Sequence, residues 1–187
     1  MSEKKERKWH ILVVDDQEEN RYFLETLLKG MGFAVSSASN GKEALEILEK
    51  GDCNLIISDI LMPVMDGYQL CMEVRFNEKF NEIPFIFYTA TYIDPKDEEF
   101  ALKLGADYFI KKPMEPGDFA KRLLQIMNEA VQNNFKAKKP ELEKEEQIFK
   151  LYNERLVKKL NKKMQDLERE IAYRKKVEEE LRQSEER

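Results

Sequence analysis

Four short apolar runs, each ending in a polar residue, limit the fold of this chain more than any other feature. Ile11–Val14 is followed by Asp15 and Asp16, and Leu55–Ser58 by Asp59. Ile83–Tyr88 ends at Thr89, and Tyr108–Ile110 leads through Lys111 to Lys112, directly before Pro113. Runs this short and this apolar fit strands buried on both faces, as in a parallel sheet. Open parallel sheets bind ligands outside the carboxyl ends of their strands. The polar residues fall at that edge.

Helical spacing fills the gaps. A strand over 9–15 is followed by a helix over 17–30, with Phe23, Leu24, Leu27 and Leu28 on one face and Gly30 near its end. A second strand spans 33–38, and Asn40-Gly41 turns into a helix carrying Ala44, Leu45, Ile47 and Leu48. The third strand spans 54–59. A loop with Pro63 and Asp66-Gly67 precedes a helix over 67–76. The fourth strand spans 84–88, and Asp94-Pro95 opens a helix that Gly105 stops. A fifth strand over 107–111 and a helix over 117–134 complete the set. Alternating strands and helices predict an α/β, doubly wound, five-stranded parallel sheet. Strands 1 and 3 carry the aspartates and should be adjacent and central. The flavodoxin-like order 2-1-3-4-5 meets that condition.

After Phe135 the pattern changes. Lys136-Ala137-Lys138-Lys139-Pro140 reads as a hinge or kink, and from Glu141 onward there is neither Gly nor Pro. Phe149, Tyr152, Leu156, Leu160, Met164, Leu167, Ile171, Val177 and Leu181 fall on one narrow stripe with charges on the other faces. That is the seam of a long C-terminal coiled-coil helix. Its steps of four between Tyr152 and Met164 resemble a stutter. A helix of this length reaches about 70 Å and has no core of its own to cover, so a parallel homodimer is expected. The divisions are a polar tail over 1–8, a domain over 9–135, a hinge over 136–140 and a signalling helix over 141–187.

Charge narrows the function. Residues 1–135 carry a net charge of −8, whereas 141–187 hold 13 acidic and 13 basic residues. An acidic domain argues against non-specific nucleic-acid binding. No apolar run approaches the roughly 20 residues of a membrane span, and no N-terminal apolar segment reads as a signal. The expected compartment is the cytoplasm, with no membrane contact. Cys53 and Cys71 lack partners at metal-ligand spacing and read as core thiols.

Acidic groups, a hydroxyl and an ammonium at one sheet edge can hold Mg²⁺ and a phosphoryl group. Three packed carboxylates repel, so one pKa rises unless a cation binds. Mg²⁺ suits a few carboxylates with waters and phosphate oxygens. Val13-Val14-Asp15-Asp16, the stretch Ser58–Gly67, Tyr88-Thr89-Ala90 and the stretch Gly105–Pro113 together resemble a receiver domain of the response-regulator superfamily. The resemblance covers residues 8–134. It implies that Asp59 is the phosphoacceptor, and that Asp15, Asp16, Asp59 and the backbone carbonyl of Leu61 hold Mg²⁺. It further implies that Thr89 and Lys112 bind the phosphoryl group, that Thr89 and Phe109 act as the switch, and that Leu61 and Thr91 tune dephosphorylation. The implied partner is a histidine kinase or phosphotransfer protein. The end of the chain resembles helices that lead into PAS sensor domains, so a longer parent could be a sensor histidine kinase.

Blander readings stand beside these. Asp15 or Asp16 could cap a helix, Thr89 could be an ordinary strand residue, and Lys112 could be solvated, with Lys111 pointing outward. Phe109 could be a core or surface aromatic. His10, the single histidine, reads as structural. A haloacid-type phosphohydrolase would also place aspartates at strand ends, but Asp15-Asp16-Gln17 lacks its second acid at the right offset. A degenerate receiver used only for binding is disfavoured by the full acidic set.

Overall fold

The structure, a computed structural model, describes residues 8–90, 95–132, 136–140 and 145–185. It divides into one unit up to Glu145 and a second from Glu146. The first is built from β1 (His10–Val14), α1 (Glu18–Gly30), β2 (Ala34–Ala38), α2 (Gly41–Glu49), β3 (Leu55–Ser58), α3 (Gly67–Phe76), β4 (Phe85–Thr89), α4 (Pro95–Lys103), β5 (Tyr108–Lys111) and α5 (Pro116–Gln132). The strands form one sheet in the order β2-β1-β3-β4-β5, and every neighbouring pair is parallel. The predicted fold and strand order are those observed.

Alternation along the strands splits the core between the two faces of the sheet. Ile11, Val13, Leu55, Ile57, Ile86, Tyr88 and Ile110 pack with Leu24 and Leu28 of α1 and with Phe119, Leu123 and Ile126 of α5. On the other face, Phe87 meets Tyr68 of α3 edge-on at 5.6 Å, and Tyr68 meets Phe100 of α4 at 5.1 Å. Such aromatic pairs add to the burial of apolar area.

Helix ends follow local chemistry. Asn40 caps α2 by accepting from the Glu43 N–H, and Asp66 caps α3 by accepting from the Gln69 N–H. The left-handed residue after α1 is Gly32 (φ +89°), not Gly30, which is still helical. Gly105 (φ +103°) ends α4 as expected.

One connection was not legible in the sequence. Arg75, at the end of α3, donates from Nε to the Gly105 carbonyl at 2.6 Å and from Nη1 to the Ile83 carbonyl at 2.9 Å. Its Nη2 lies 2.7 Å from Asp107 Oδ2. Asp107 Oδ2 also accepts from the Phe85 N–H at 2.8 Å, and its Oδ1 from the Lys138 N–H at 3.0 Å. The segment read as a hinge is therefore tied to the amino-terminal edge of the sheet at Lys138.

The second unit is α6 (Glu145–Glu185), 41 residues long. Leu160, Met164, Leu167, Ile171, Val177 and Leu181 are exposed along it, and Tyr152 and Leu156 are partly buried. The side chain of Phe149 lies outside the described residues. No helix among the described residues is long and apolar enough to cross a membrane.

Candidate functional site

β1, β3, β4 and β5 end together, so residues far apart in sequence converge. Val14 lies opposite Ser58, Ser58 opposite Phe87, and Thr89 opposite Lys111. The residues just beyond these ends form the pocket. Asp15, Asp59 and Thr89 are buried there, and Asp16 is half-buried. One carboxylate oxygen from each of Asp15, Asp16 and Asp59 lies within 4.8 Å of the others. Lys112 joins them, its Nζ 2.5 Å from Asp15 Oδ2. Its backbone N–H donates to the Thr89 carbonyl at 2.8 Å, which fixes the base of its side chain.

Asp59 is held on several sides. Its N–H donates to the Val14 carbonyl at 2.8 Å, and its Oδ1 accepts from the Ile60 N–H at 2.7 Å. The Thr89 side chain hydrogen-bonds the same carboxylate. A Cβ on Gly67 would lie 2.1 Å from the Asp59 carbonyl oxygen, so only glycine lets α3 start this close beneath the loop.

Burial pushes the Asp59 carboxyl above its ordinary range. Lys112 and the Thr89 hydrogen bond pull it back, and Asp15 adds a smaller upward push. The predicted rise is present, but desolvation outweighs the carboxylate repulsion offered as its cause.

The remaining candidates sort by position. Leu61 is buried two residues beyond Asp59. Phe109 is half-buried, its ring 6.3 Å from that of Phe87. Lys111 is exposed, 3.9 Å from Glu98, and points away as alternation requires. Thr91 lies outside the described residues. The N-cap of α1 is Gln17, which makes no side-chain cap bond. Asp15 Oδ1 instead accepts from the Gln17 N–H at 2.9 Å. His10 Nε2 meets Ser36 Oγ at 2.9 Å at the start of β1, far along the strand from the pocket. Burial raises the Cys71 thiol to about 12, which leaves it inert.

Sequence reasoning missed two neighbours of Asp15. Asn20 Nδ2 reaches both of its carboxylate oxygens, at 3.1 and 3.2 Å, and Arg21 Nη1 donates to its carbonyl at 2.7 Å. Both sit on the first turns of α1. Treating that helix as part of the pocket wall would have flagged them.

The family model for the response regulator receiver domain matches residues 11–124. A probable transcriptional regulator, ycf27, of Cyanidium caldarium is 40% identical over 132 residues, covering 71% of this chain and 51% of the relative. The chain thus spans about half the length of the curated relatives it matches. Among solved structures, the receiver domain of a signal transduction histidine kinase from Syntrophus aciditrophicus is 33% identical with a TM-score of 0.60, covering 66% of this chain and 93% of that one. The receiver domain of the Pseudomonas aeruginosa sensor histidine kinase PA1611, with a magnesium ion in its active-site cleft, is 28% identical with a TM-score of 0.58, covering 64% and 98%.

Proposed function

From the premise that this chain belongs to the response regulator receiver domain family, we propose that it takes a phosphoryl group from a phosphohistidine of a histidine kinase or phosphotransfer protein onto Asp59. The observation that carries this is the meeting of three carboxylates, a buried threonine and Lys112 in one pocket. The donor set suits Mg²⁺, a hard cation that takes carboxylate and carbonyl oxygens. Asp15, Asp16, Asp59 and the Leu61 backbone carbonyl would hold it. When bound it neutralises charge on the phosphoryl oxygens and on the carboxylates.

The chain's own residues do the rest. A carboxylate oxygen of Asp59 attacks phosphorus in line, the bond to the imidazole nitrogen breaks with its electron pair going to the imidazole, and an acyl phosphate forms. Thr89 donates its hydroxyl hydrogen bond to a phosphoryl oxygen. Lys112 leaves Asp15 to pair with another, and Asn20 keeps the Asp15 carboxylate in place. Phe109 turns inward as Thr89 is drawn toward the phosphoryl group. Buried Leu61 keeps the hydrolytic water away and lengthens the life of the acyl phosphate.

In the output, α6 pairs with a second copy in parallel through its exposed seam. A shift in α5 changes the rotation or register of that pair, a known kind of switch. A second reading, the regulatory segment of a PAS-containing sensor kinase, is favoured by the likeness to receiver domains of two sensor kinases. The length of the full gene separates the two.

The test is incubation with Mg²⁺ and acetyl phosphate, followed by intact mass and light scattering. The native chain is expected to gain one phosphoryl mass and Asp59→Ala none. Equal labelling of the variant would refute the assignment. A monomer at every concentration, with or without beryllofluoride, would refute the dimeric output.

A further inference from the structure

Lys112 has a second neighbour besides Asp15. Its Nζ lies 5.0 Å from the centre of the Tyr88 ring. Tyr88 is the penultimate residue of β4 and is buried on the face of the sheet covered by α1 and α5, its ring 4.7 Å from that of Phe119. Its hydroxyl lies near the backbone of Met114, two residues beyond Lys112. One side chain therefore faces the Lys112–Met114 turn at two points, the ring beside the ammonium and the hydroxyl near the backbone. The backbone anchor of that turn, Lys112 N–H to the Thr89 carbonyl, comes from the next residue of the same strand.

We infer that Tyr88 is a positioning residue for phosphoryl transfer, its ring keeping the Lys112 ammonium at the pocket as it passes from Asp15 to the phosphoryl group. This rests on the reading of Asp59 as phosphoacceptor. A lysine stem has four rotatable bonds, and an ammonium released from one carboxylate would otherwise drift to water. An aromatic face attracts a cation most strongly where water is excluded, and the Lys112 side chain is only 11% exposed. Leucine at position 88 would fill much of the same space and offer no such attraction.

The experiment measures the initial rate of labelling of the 187-residue chain by acetyl phosphate at saturating Mg²⁺. Tyr88→Leu is expected to slow labelling about five- to twenty-fold, the range of a desolvated cation–π contact. Tyr88→Phe, which keeps the ring, should recover most of that loss. In a Lys112→Met background, Tyr88→Leu should add nothing, since the group it positions is gone. An equal slowing in both backgrounds would mean that Tyr88 acts through packing, and the inference fails. A readout that needs no variant to fold is the proton spectrum of the native chain. The ε-methylene protons of Lys112 should be shifted upfield by the ring, and an unshifted position overturns the inference even where labelling is normal. A native chain that takes no label, or that labels equally as Asp59→Ala, instead overturns the phosphoacceptor reading, and the two failures are told apart by that control.

Discussion

The sheet carries a buried aspartate–cation pair at each end, and the two are built for opposite purposes. At the amino-terminal edge, Asp107 faces Arg75 with both side chains nearly inaccessible, at 3% and 1% exposure. One acid meets one base. The guanidinium spends its other donors on carbonyls of Gly105, Asn81 and Ile83, and the carboxylate accepts from two backbone N–H groups. Such a satisfied network has one arrangement. At the carboxyl edge, Asp15 faces Lys112, but Asp16 and Asp59 lie within reach of the same point. Three acids gather beside one ammonium, so the charges there are not matched one to one. The first pair locks the fold, and in the proposed function the second waits for a ligand.

Arg75→Ala should break the locked end most severely. Removing one member of a buried pair strands the other charge and costs about 3–5 kcal/mol. Urea unfolding followed by circular dichroism measures it. Joint replacement by Arg75→Met and Asp107→Leu should not restore stability, because the carbonyls and N–H groups that the pair serves would stay unmet. Recovery in the double variant would show the network to be dispensable. Next in size, Mg²⁺ should stabilise the waiting end and leave the locked one alone. A hundredfold excess over the dissociation constant adds about 2.7 kcal/mol. Asp16→Ala should lose most of that gain in a thermal melt, while an Arg75 variant that still folds should keep it.

Much of this contrast could be read from the chain, and the part that could not has a physical reason. Apolar runs of three to six residues leading to Asp15, Asp59, Thr89 and Lys112 locate a sheet edge, because strands put their last side chains where the next turn begins. The spacing holds whatever the packing. Arg75 and Asp107 carry no local mark of a pair, one lying near a helix end and one at the start of a strand. Their pairing depends on the tertiary approach of the α3 end to the α4–β5 turn, which no local period encodes. The same applies to Asn20 on Asp15 and to the Tyr88 ring beside Lys112. The tie from Lys138 to Asp107 is hidden for a further reason, since the segment donates through its backbone and any residue but proline could stand there.

Leu61→Asn should sharpen the view of the carboxyl edge as a place of exchange. A polar side chain beside the acyl phosphate gives the attacking water a hydrogen-bond partner where buried Leu61 gives none. The half-life of the labelled protein, read by intact mass, should shorten about three- to tenfold, since tenfold corresponds to about 1.4 kcal/mol of barrier. An unchanged half-life would remove Leu61 from the site's timing.

The smallest expected effect is the most pointed, because its sign depends on the cation. Burial raises the Asp59 carboxyl above the ordinary aspartate range, so the fold favours its protonated form. Stability from this group is complete below the unfolded-state value, near 3.9, and is lost as pH rises through the folded-state value. In chelator at pH 7.5, Asp59→Asn should therefore melt a few degrees above the native chain. The gap should close as the pH falls toward 4. Saturating Mg²⁺ should reverse the order, because the native carboxylate gains a partner that asparagine replaces poorly. A variant less stable than the native chain in chelator at pH 7.5 would mean that Asp59 is already neutralised by Lys112 and Thr89. The carboxyl edge would then be as balanced as the Arg75–Asp107 end.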